Sequence, residues 1–119
     1  MVRLKRRKRE RANIRAETRV RWPAHLQFVR LHVCALQNIR CAGKVEAAHI
    51  RMGTDGGIGV KPSDNYAVPL CNFHHRTQHN LGEAAFWEAA GIDPLKLAAQ
   101  LWQSSPARPR YEQRQRART

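Results

Sequence analysis

Residues 71–79 read CNFHHRTQH, which puts one cysteine and three histidines into nine positions of a 119-residue chain with only three cysteines and six histidines in all. On a helix, neighbours point roughly 100° apart, whereas residues four apart share a face. His75 and His79 therefore look one way, about one turn apart, and His74 looks another. One helix would carry two sets of potential metal ligands, and what completes each set decides the fold.

For His74 the completion lies upstream. Cys71 and His74 have the spacing C-x2-H, and Cys34 and Cys41 flank a turn as C-x6-C, a longer arm than the usual knuckle. Cys34, Cys41, Cys71 and His74 make a Cys3His set, one of the closed tetrahedral combinations that structural zinc accepts. Free cysteines also occur as small buried hydrophobes, but each of these stands at the edge of an element beside polar residues. A core of about eighty residues with this much loop is marginal on apolar burial alone and needs such a staple. An odd cysteine count, and a basic start that no apolar run follows, argue against a disulfide scaffold and for a reducing, cytoplasmic compartment.

The surrounding pattern is α+β. Residues 23–33 (PAHLQFVRLHV) place apolar side chains at helical spacing, and residues 34–43 form a loop. Residues 44–50 (KVEAAHI) read as a short strand. Residues 51–64 are an irregular loop in which Gly53, Gly56, Gly57 and Gly59 act as turn-formers; neither a Walker pattern nor a dinucleotide fingerprint is present. Residues 65–70 (NYAVPL) read as a second strand, with Pro69 implying an edge or an end. The CNFHHRTQH helix closes near Gly82. A further helix over 83–90 stops at Gly91, and Asp93-Pro94 caps another. Trp87 and Trp102 fall at core-facing positions, Trp22 is expected to pack at the domain edge, and His25 and His32 read as surface or satisfied structural histidines.

The net charge of +13 is confined to the ends. Residues 1–21 carry ten Lys/Arg against two Glu, residues 106–119 five Arg against one Glu, and residues 22–105 are nearly neutral. The expected organisation is a disordered basic arm (1–21), one folded domain (22–105) and a disordered basic tail (106–119). Clustered arginines such as Arg6, Arg7 and Arg9 suit a phosphate backbone, because they displace its condensed counterions. A membrane-surface role has no apolar face or lipidation motif to support it.

On the helix alone, His75 and His79 could be ordinary polar surface. The ordered combination EAAHI, glycine-rich loop, DNYAVPLC and HHRTQH, from about Cys34 to His79, resembles the His-Asn-His (HNH) endonucleases, particularly small phage and prophage nucleases of the recombination-enhancement type. The resemblance implies a ββα-metal (His-Me finger) core and a hydrolase of DNA, expected to be double-stranded, in a bacterial or phage-infected cell. His49, Asn65 and His75 match the three name-giving positions, and His79 matches the extra helix ligand of some members. His49 would be the general base, since neutral imidazole takes a proton at neutral pH, and Asn65 would orient it. His75 and His79 would hold Mg²⁺ or Mn²⁺, with Ni²⁺ or Co²⁺ also suited to imidazole. Arg51 or Arg76 would bind phosphate. Ala48 stands where the family commonly has a metal-ligating Asp or His, so the ion would rest on His75, His79, water and substrate phosphate, or borrow Glu46 or Asp64. The alternative is a catalytically inactive, zinc-stapled DNA- or RNA-binding module.

Overall fold

A computed structural model describes residues 19–38, 40–56 and 59–118. The expectations for Arg6, Arg7, Arg9 and Gly57 lie outside these residues. The described residues form a small α+β domain of five helices and one two-stranded sheet.

Helix α1 (Pro23–Arg30) opens on proline and buries His25, Leu26 and Val29. It ends three residues short of the expected Val33. Leu31 and Val33 are 85% and 63% exposed, so a further turn would meet no apolar surface. The chain turns instead, and Ala35 donates its N–H to Pro69 O at 2.8 Å, delivering Cys34 to the domain interior.

Strands β1 (Val45–His49) and β2 (Ala67–Cys71) pair antiparallel, with Val45 opposite Cys71 and His49 opposite Ala67. Every residue of β2 is buried, as its apolar run requires. Asn65 and Tyr66, expected in the strand, belong to a 3-10 turn (Asp64–Tyr66). Ser63 O accepts the Tyr66 N–H, and the turn directs the Asp64 carboxylate inward. A Cβ at Gly56 would stand 2.5 Å from Pro62 Cγ, so only glycine lets the loop backbone lie against the Pro62 ring.

The sheet separates two apolar clusters. On one face Leu26 and Val29 of α1 pack on Ala67 and Ala47. On the other, Ala48, Ile50, Val68 and Leu70 meet Phe86, Trp87 and Ala98. The last three come from α3 (Glu83–Ala90) and α4 (Pro94–Ser104), while α2 (Asn72–Leu81) follows β2 without a break. Gly91, at φ 68°, ends α3 in the left-handed conformation, and the Asp93 carboxylate caps α4 through the N–H groups of Leu95 and Lys96. Fully burying Val29, Leu70 or Ile50 contributes about 2 kcal/mol each.

Both charged ends depart from expectation. The segment read as a disordered tail contains α5 (Arg108–Arg118), with Tyr111 packed edge-on against Trp22 and Trp102. At the other end, Arg19, Val20 and Arg21 belong to the fold rather than to an arm. Val20 donates to Ser63 Oγ, and Arg21 donates to the carbonyls of Pro62 and Lys61 at 2.7 and 2.8 Å. His25 is also corrected: it is wholly buried, and neither ring nitrogen has a hydrogen-bond partner. His32 is satisfied, donating Nδ1–H to Phe28 O.

Candidate functional site

The helix α2 divides its side chains as its periodicity dictates. Cys71, the last residue of β2, caps α2 by accepting the His74 N–H on Sγ. His74 and, one turn on, Gln78 point inward, where Gln78 accepts from Trp87 Nε1 at 2.8 Å. His75 and His79 share the outer face, with ring centroids 4.9 Å apart.

The inward set assembles as the spacing predicts. The donor atoms of Cys34, Cys41, Cys71 and His74 all lie within 4.8 Å of one another. His74 Nδ1 is 3.4, 3.7 and 3.2 Å from the three sulfurs. A tetrahedral zinc with ordinary bond lengths requires nitrogen–sulfur edges of about 3.5 Å. The cluster could therefore hold a zinc ion. Burial holds His74 below its usual pKa, which keeps the imidazole neutral as ligation requires. Burial also pushes the Cys34 thiol up to about 11; a bound dication would reverse that and deprotonate it. The long C-x6-C arm is accommodated because Phe73 N–H donates to Ala42 O and Asn72 N–H to Lys44 O, stitching the loop to the start of α2.

The other predicted residues form two histidine–carboxylate pairs. His49, at the end of β1, donates Nε2–H to Asp64 Oδ1 at 2.9 Å, and Asp64 Oδ2 accepts the Trp22 N–H at 2.6 Å. Burial would raise the Asp64 carboxyl, but the His49 ring, the Trp22 N–H and nearby Lys61 outweigh it and hold the group below the usual carboxylate range. The residue that orients His49 is thus Asp64 and not Asn65, whose Oδ1 is buried without a partner. In the second pair His75 Nδ1 meets Glu46 Oε1 at 2.8 Å. The His75 contact, chiefly, lowers the Glu46 pKa. Glu46 and Asp64, the two carboxylates the sequence offers as lent metal ligands, each hold a histidine ring.

Strand alternation sends Glu46 and Ala48 to one face of β1 and Ala47 and His49 to the other. Ala48 is wholly buried. Among the described residues, the Cys3His cluster is the only group of three or more His, Cys, Asp or Glu side chains close enough to share an ion. Arg76 is exposed beside His75 on α2, and Arg51 is exposed two residues beyond His49. The Glu83 carboxylate accepts the N–H groups of Arg51 and Met52, both bonds from Arg51 at 3.0 Å, and so fixes the loop as it leaves His49. Nothing in the sequence marks Glu83 as a site residue, and the sequence offers Asp64 only as a lent metal ligand, not as the partner of His49.

Fold and site define a small α+β domain with a Cys3His cluster able to bind zinc. Residues 12–106 match the model of a family described as "Protein of unknown function (DUF968)", and the chain belongs to that family. No curated protein and no solved structure matches it. Among the described residues no helix is long and apolar enough to cross a membrane.

Proposed function

We propose that this chain is a divalent-metal-dependent DNA endonuclease of the His-Asn-His type, built on a ββα-metal core that a zinc ion staples. The observation that carries the reading is the pair His49–Asp64. A buried carboxylate receiving Nε2–H leaves the lone pair on Nδ1, the tautomer a general base needs in order to take a proton from water. The strand–loop–strand–helix order and the antiparallel pairing of β1 with β2 support it.

Glu46 does the corresponding work for His75. A carboxylate on Nδ1 fixes the ring and leaves Nε2 for an ion, the usual arrangement around a metal-bound histidine. His75 and His79 fit as two ligands, and water and substrate phosphate complete the set in place of Ala48. Bound there, Mg²⁺ or Mn²⁺ would stabilise charge on the phosphate and on the departing 3′ oxygen. His49 and Glu46 leave β1 on opposite faces, so in this proposal the scissile phosphate lies at the edge of β1, between the base and the ion.

Incubation of the purified protein with supercoiled plasmid, with Mg²⁺ or Mn²⁺ and without either, tests this. Nicked or linear product that requires the ion and disappears in His49→Ala is expected. Zinc-loaded, folded protein that binds the plasmid and leaves it intact with every ion would replace the reading with the alternative, a zinc-stapled DNA- or RNA-binding module, which the buried Ala48 favours.

A further inference from the structure

The helix α5 has a composition that explains little of its own stability. Of its eleven residues five are arginine and none is buried. A helix this short, about 16 Å long, is marginal in isolation. Its supports are partly local and partly tertiary. Ser105 Oγ accepts the Ala107 N–H, Arg108 pairs with Glu112 at 2.9 Å, and Tyr111 docks on Trp22 and Trp102 at ring-centroid distances of 5.5 and 5.8 Å. Against these stands mutual repulsion of the guanidinium groups, since the one acid, Glu112, is engaged by Arg108. Among the described residues no carboxylate pairs with Arg110, Arg114 or Arg118.

The anchor has a direction. With Tyr111 turned to the core, Arg110 and Arg114, one turn apart, share a flank. Arg114 lies over the Trp22 ring, its guanidinium carbon 5.7 Å from the centroid. The backbone N–H of the same Trp22 holds the Asp64 carboxylate that orients His49. Arg21, next in sequence, has Nη1 3.9 Å from Asp64 Oδ1 and remains exposed. Arg114 and Arg110 thus give α5 a run of cations whose near end reaches Trp22, while Arg21, bonded to the Pro62 and Lys61 carbonyls, stands exposed beside Asp64.

We propose that this run is a nucleic-acid docking surface: α5 follows the phosphate backbone of duplex DNA on one side of the His49 site. Charge complementarity selects the occupant, because a polyanion relieves the repulsion within α5 and releases counterions as it does so. The inference rests on DNA being the substrate in the reading above, but not on its cleavage.

The test measures binding of full-length, zinc-loaded protein to a labelled DNA duplex by fluorescence anisotropy across salt concentrations, without added divalent ion. The double variant Arg110→Gln/Arg114→Gln keeps good helix formers. It should weaken binding at least tenfold at about 100 mM salt and flatten the slope of log K against log salt by nearly two, one phosphate contact per arginine. Arg30→Gln/Lys96→Gln, which removes the same charge from exposed positions of α1 and α4, should change the slope by less than half as much. Should the first variant lose α5 by circular dichroism, Arg110→Gln/Arg118→Gln, which keeps the Arg114–Trp22 contact, replaces it. Equal slopes for control and α5 variants, or a loss confined to a single-stranded RNA probe, would overturn the proposal. Wild-type protein that shows the expected slopes yet never cuts DNA defeats the nuclease reading and leaves this one standing.

Discussion

His25 gives a sharp quantitative expectation. Its ring is wholly buried between α1 and α4, 4.8 Å from Trp102 at 86°, with no hydrogen-bond partner on either nitrogen. Burial lowers its pKa from 6.5 to about 4. The unfolded chain therefore binds a proton near 6.5 that the folded chain refuses until about 4, and folding loses stability as pH falls through that window. At 1.36 kcal/mol per pKa unit, the gap is worth about 3 kcal/mol at the acid limit, and about 2 kcal/mol between about pH 7 and about pH 5. His25→Leu, close in volume and without a titrating group, should be free of this loss. The assay is urea denaturation of both proteins across the window, read as the difference between them, so that acid release of zinc and titration elsewhere cancel. Wild type should fall relative to the variant by about 2 kcal/mol by about pH 5. Parallel pH profiles would refute the reasoning and show that the ring finds a partner or is open to water.

Three further outcomes follow from the geometry. Elemental analysis should find about one zinc per chain, and His74→Ala should give insoluble or proteolysed protein, because metal-binding free energy is folding free energy in such a domain; His75→Ala should stay folded and zinc-loaded but stop cutting plasmid, partly rescued by high Mn²⁺. Asp64→Asn would present an amide N–H to His49 Nε2 and invert its tautomer, so cleavage should slow by about 10²–10⁴-fold while duplex binding holds; an unchanged rate would remove His49 as the base. Deleting residues 1–18 should flatten the salt dependence of DNA binding and leave the melting temperature alone, whereas deletion through Trp22 should lower it, because Val20, Arg21 and Trp22 are bonded to the 61–64 loop.

What sequence could tell about this chain follows from the range of the interactions involved. The split of α2 into an inward His74 and an outward His75/His79 face is a property of a 3.6-residue period, and it was legible. So were the Asp93 cap and the Gly91 stop, which depend on a few neighbouring residues. The helix α5 was not, because its anchors are Trp22, Trp102 and Tyr111, rings brought together only by the tertiary fold. The hydrogen-bond partner of His49 is Asp64, one residue before the Asn65 that the family resemblance implies as its orienting residue, because a 3-10 turn sends the acid inward. The burial of His25 did leave a trace: it shares a helical stripe with Leu26 and Val29, the two apolar residues that define the inner face of α1.

The arrangement on α2 also explains why stability and chemistry can be tested separately on adjacent residues. Its inward side is fixed by the Cys71–His74 corner and by the buried Gln78–Trp87 bond, both of which leave polar atoms stranded if a partner is removed. Its outward side rests on Glu46, whose carboxylate is half exposed and has water as an alternative partner. Loss of His75 therefore strands nothing in the interior, while loss of His74 leaves Cys34, Cys41 and Cys71 without the imidazole that completes their cluster. If the two substitutions gave the same phenotype, the inward and outward faces would have to be coupled through one ion. The four donor atoms of the inward cluster, already close enough to complete a tetrahedron, argue against that.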